Sequence, residues 1–132
     1  GLRAESNVLR YVPVRRVVAY HDGGQHESLT RLRVAAEVTG AELVESDARS
    51  VGARELVASL RSADRVRLLL DPGDALLQAL VDAGVWFDAT PPCPHGRVEL
   101  VRWVREQSVS QTVHRHGRLP NAGTPAVPID FR

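Results

Sequence analysis

The sequence predicts an α/β protein: a small Rossmann-like parallel sheet of about four strands with helices on both faces, plus a C-terminal β-flap strand. Three observations predict it. Short β-branched runs alternate with segments of helical periodicity four times in succession. The helical segments carry start and stop residues at the right places. Strand–helix–strand alternation in one sheet demands right-handed crossovers, which put helices on both faces.

The first strand is "VRRVVAY" (14–20), after Pro13. In "HESLTRLRVAAEVTG" (26–40), Leu29, Leu32, Ala36 and Thr39 share one helical face, and Gly40 stands where a helix-ending glycine belongs. "AELVES" (41–46) is the second strand. Within 51–63, Ala53, Leu56, Val57 and Leu60 form an i, i+3, i+4, i+7 stripe. "RVRLLL" (65–70) is the third strand. The "DPGD" after it reads as Asp71 at the N-cap, Pro72 at N1 and Asp74 facing the orphan amides. Leu76, Leu77 and Leu80 turn inward, and Gly84 ends that helix. "VWFDA" (85–89) is the fourth strand, "TPPCPHG" (90–96) a proline-stiffened loop, and 97–107 a final helix. "EQSVSQTVHRHG" (106–117) then has strand character.

These elements divide the chain into an entry or linker segment (1–13), the α/β domain (14–105), a flap strand (106–119) and a tail (120–132) expected to be extended or disordered. A length of 132 residues suits one core. Seventeen basic residues stand against sixteen acidic ones, and every basic residue is arginine. The absence of lysine excludes lysine Schiff-base chemistry and the P-loop. Arginines alternate with acids, which argues against nucleic acid and anionic membranes as partners. One cysteine, no membrane-length apolar run and no signal-peptide core point to a cytoplasmic protein.

Four places could carry chemistry. In "YHDGGQHES" (20–28), Gly23 and Gly24 are the weak cofactor-binding candidates, because a glycine pair before a helix lets amides approach a phosphate. The same pair also suits a plain tight turn, and GxGxxG is absent. Asp22 and Asp71 end strands as acids do in phosphoacceptor domains, without the lysine that chemistry needs. Cys93 lies two residues before His95, a spacing with no nucleophile geometry behind it. His114 and His116 share a strand face and would need a third metal ligand from His21, His26, Cys93 or an acid; no ligand spacing supports one. Read from the residues, the chain has no catalytic and no metal site.

The segment 102–119 resembles the C-terminal end of long bacterial proline-utilisation enzymes and of their L-glutamate γ-semialdehyde (pyrroline-5-carboxylate) dehydrogenase modules, of the aldehyde dehydrogenase superfamily. The pattern REQSxSxTxHRYGN falls on Arg105, Glu106, Gln107, Ser108, Ser110, Thr112, His114, Arg115 and Gly117, with His116 and Arg118 departing from it. "ESNVLRYVPV" (5–14) resembles the GERNxLRYxP segment of the same family. The resemblance spans roughly residues 5–119. It implies a non-catalytic C-terminal domain of a longer NAD-dependent dehydrogenase, either that dehydrogenase alone or one bifunctional with an FAD-dependent proline dehydrogenase. In that role the domain covers the passage of the intermediate between sites and aids assembly.

The catalytic cysteine and glutamate motifs of such enzymes do not occur here, and no cofactor is expected in this chain. The expected interface lies on the flap: Glu106, Gln107, Ser108, Val109, Ser110, Thr112, Val113, His114, Arg115 and Gly117. Its expected partner is the parent's catalytic domain or another protomer, or, for the isolated chain, a second copy added edge to edge. A stand-alone nucleotide-binding or protein-interaction module is the alternative.

Overall fold

A computed structural model describes residues 5–112. Its elements run β1 (Glu5–Pro13), β2 (Arg16–His21), α1 (His26–Thr39), β3 (Glu42–Asp47), α2 (Ala53–Ser59), β4 (Arg65–Leu68), α3 (Gly73–Asp82), β5 (Trp86–Asp88), α4 (Gly96–Leu100), a single 3-10 turn over Val101–Trp103, and β6 (Val104–Thr112). The described residues divide into two compact units, 11–106 and 5–10 with 107–112.

The larger unit holds a four-stranded parallel sheet in the order β3-β2-β4-β5. Its centre is β2, whose residues alternate between faces because strand side chains have period 2. Val17 and Ala19 pack with Leu29, Leu32, Ala35 and Ala36 of α1 and with Trp103. Val18 and Tyr20 pack on the other face with Leu56 of α2, Val66 and Leu68 of β4, and Leu76 and Leu80 of α3. The sheet is thus covered on both faces, as the predicted class requires.

Helix ends follow local chemistry. Gly40 takes φ 73 after α1, where a side chain would be strained. After α3, the Gly84 amide donates to the Val81 carbonyl and the Val85 amide to that of Leu80, the paired bonds of a Schellman motif. The start of α3 is one residue later than expected, with Pro72 at the N-cap. Asp71 still accepts from the Gly73 amide at 3.3 Å. The helix expected over 51–63 stops at Ser59, because Leu60 is extended and the buried Asp64 carboxylate takes the Arg61 amide at 2.8 Å.

Two expectations are corrected. The final helix ends at Leu100, and the chain is a strand from Val104 onward. Trp103 is 1% exposed and its carbonyl accepts the Val14 amide at 2.8 Å, a bond that draws the chain out of helical register. The entry segment 1–13 carries β1, which pairs with β6 in a two-stranded sheet. Arg10 meets Gln107 and Asn7 meets Ser110, so one number falls as the other rises and the pair is antiparallel. The flap strand therefore has a partner inside its own chain.

Candidate functional site

Open parallel sheets offer ligands a crevice at the carboxyl ends of their strands, where neighbouring crossovers leave in opposite directions. Here that point lies between β2 and β4, since β2 is flanked by β3 and β4. A cavity of about 370 Å³ opens beside it, lined by Ser28, Leu68, Leu69, Leu70, Asp71 and Pro72, with Ala89 and Pro91.

Gly23 and Gly24 sit in the turn between β2 and α1. Gly23 has φ 91, and its amide donates to Nδ1 of the buried His21 at 3.1 Å. The Gly24 amide donates to the Asp22 carboxylate at 3.1 Å. Both amides that a phosphate would use are satisfied by the turn's own side chains. Hydrogen bonding by the Gly24 amide, followed by the Gln25 side chain, lowers the Asp22 pKa from its ordinary value. At the end of β3, Asp47 accepts from the Arg49 Nε at 2.9 Å and from the Arg49 amide at 2.9 Å. Hydrogen bonds from the Arg49 side chain and then its amide hold the Asp47 carboxyl at a pKa of about 2.

The other candidates are scattered. Asp71 borders the cavity at the end of β4, while Asp22 belongs to the β2 turn. Cys93 is a half-buried free thiol, and its amide is held by Glu99 at 2.7 Å. His95 is exposed at the N-cap of α4. Among the described residues, no three His, Cys, Asp or Glu side chains are placed to hold a metal ion.

On the flap, Gln107 accepts from Arg10 Nε at 2.7 Å, Ser110 donates to Asn7 at 2.6 Å, and Glu106 accepts from the Tyr11 hydroxyl at 3.4 Å. Ser108 is exposed and Val109 half-buried, and Thr112 closes β6. Val113, His114, Arg115, His116, Gly117 and the tail lie outside the described residues.

Sequence reasoning missed a buried polar centre. Arg67 of β4 lies between Val66 and Leu68, so it faces the α1 side, where it pairs with Glu99 of α4. The two side chains are 1% and 3% exposed. Glu99 also accepts from the Trp103 indole at 3.2 Å, the Cys93 amide at 2.7 Å and Arg102 at 3.1 Å. Burial pushes the Glu99 carboxyl up, but the Arg67 and Cys93 hydrogen bonds, the Arg67 charge and the Trp103 bond outweigh it, and its pKa is lowered. The available signal was an arginine inside the apolar "RVRLLL" and a glutamate one helical turn before Trp103.

Fold and crevice together define a Rossmann-like α/β module in which the amides of the turn after β2 are bonded by the turn's own side chains. Among solved structures, the chain is similar to proline utilization A (PutA) from Corynebacterium freiburgense, at 32% identity and a TM-score of 0.64. The likeness covers 87% of this chain and 11% of that one, so this chain spans only about a tenth of the neighbour's length. It supports a PutA-related domain. No protein-family model matches the chain, and no curated protein does. Among the described residues, no helix is long and apolar enough to cross a membrane.

Proposed function

We propose that this chain is a non-catalytic C-terminal domain of a longer, cytoplasmic proline-catabolic enzyme. Its parent is an NAD-dependent L-glutamate γ-semialdehyde dehydrogenase, bifunctional with an FAD-dependent proline dehydrogenase. NAD and FAD belong to other parts of the parent. The observation that carries this reading is the 32% identity to PutA across 87% of the chain. The end motifs, "ESNVLRYVP" and "REQSVSQT", support it. They occupy β1 and the stretch from Arg105 to the end of β6, so the most family-like residues are the ones that form the antiparallel ribbon.

In this role the ribbon is an assembly element. A two-stranded sheet is marginal in water and leaves both outer edges with unpaired backbone groups. Val8, Leu9 and Tyr11 of β1 are 44%, 63% and 65% exposed. The partner is the parent's catalytic domain, in the same chain or in another protomer. Docking there encloses the route between the two active sites and keeps the semialdehyde from bulk solvent.

The test is deletion of residues 106–119 from the full-length parent. Semialdehyde oxidation coupled to proline should fall by roughly tenfold or more, the scale of a lost positioning element, while proline dehydrogenase activity persists. Unchanged coupled activity would refute the covering role. A native gene product no heavier than this chain would refute the fragment reading altogether.

A further inference from the structure

The turn after β2 carries a second, independent argument. A phosphate docked at such a turn needs three things: space against a glycine, amides free to donate, and a carboxylate on the neighbouring strand end free for sugar hydroxyls. Each is already taken. A Cβ built on Gly23 would lie 2.5 to 2.8 Å from the Nη2, Cζ and Nη1 atoms of Arg49, so the guanidinium crosses the glycine's bare face. The Gly23 and Gly24 amides are held by His21 and Asp22. Asp47, the strand-end carboxylate, is bound by Arg49 through both of its oxygens.

We propose that Arg49, anchored by Asp47, is a latch that closes the turn of residues 22–25 against phosphate-bearing ligands. The close approach that glycine permits is used by the protein's own guanidinium. The cluster does not substitute as an anion trap, because Asp22 and Asp47 place two carboxylates around one cation. Such a cluster keeps a net negative charge and repels phosphate. Asp47 stays ionised far below neutral pH, so the latch holds across the physiological range. This inference rests on the turn alone and stands apart from the proline-catabolic reading.

ADP is the probe, followed through the NMR amide signals of Gly23 and Gly24. The wild-type chain should show no saturable shift at millimolar ADP. The triple variant Arg49→Ala/Asp47→Asn/Asp22→Ala frees one glycine face and one amide and removes both acids together with the cation, so the cluster loses its net negative charge. It should bind at least about tenfold more tightly than wild type, the scale of one restored charge-assisted contact. Circular dichroism and a melting curve establish that the variant is folded. Should it fail to fold, Arg49→Ala/Asp47→Asn opens the glycine face without making the cluster more negative and gives the same reading with a smaller gain, since the Arg49 side chain is 67% exposed. Saturable wild-type shifts at these amides would overturn the latch. So would a folded variant that binds no better than wild type.

Discussion

At the residue scale the decisive group is Glu99. It joins β4, the 90–95 loop and the Trp103 turn through one carboxylate. A buried ion pair contributes little net stability against an apolar replacement, but breaking it strands a charge in the core. Glu99→Ala should therefore cost roughly 3–5 kcal/mol in urea unfolding, whereas Arg67→Met/Glu99→Leu should cost far less. Equal losses in the two would mean that the pair is not the origin of the effect. The pH dependence has a definite sign. The folded Glu99 pKa is lowered, so its contribution is complete above the unfolded value of about 4.3 and is lost as pH falls through the folded one. Urea midpoints should fall more steeply with acid in wild type than in Glu99→Gln. The centre was hard to read in advance because period-2 and period-3.6 patterns register apolar positions. An arginine inside such a pattern looks solvated until its partner, 32 residues away, is known.

At the element scale, punctuation was legible and long-range closure was not. Gly40 and Gly84 mark their helix ends because only glycine adopts positive φ there without strain, a demand visible in one dimension. Gly40→Ala meets no atom within 4 Å. Its cost should be the backbone term alone, about 1 kcal/mol, read as a lower thermal midpoint. A neutral outcome would mean that the end of α1 relaxes out of the left-handed conformation. The final helix and the entry segment were misread for a different reason. Residues 97–107 have acceptable helical periodicity, but the Val14 amide captures the Trp103 carbonyl across 89 positions of chain and ends the helix early. Likewise, β1 is a strand because β6 is present to pair with it. Neither partner announces the other by local spacing. Family resemblance flagged both ends of the chain as meaningful without showing that they meet.

At the scale of the whole molecule, sheet class followed from alternation, while strand order had to come from the structure. The β3-β2-β4-β5 order creates the crevice, and the glycine turn next to it was legible as a turn; Arg49 crossing it was not. The two units differ in how they are sustained. Residues 11–106 contain both apolar clusters, one on each face of β2. The β1–β6 ribbon has two strands, below the three or more that independent sheets need in water. Hydrogen exchange should separate them. Amides of Val17–Tyr20 and Val66–Leu68 should open only with global unfolding, and those of residues 7–10 and 107–110 far sooner, through local opening. In the longer parent proposed above, the ribbon amides should slow markedly while the central strands keep their order, because an added strand or a covering surface would remove the local opening route. Equal protection of ribbon and central sheet in the isolated chain would mean that the ribbon is already complete, and its proposed role as an unfinished edge docking on a parent's catalytic domain would be lost.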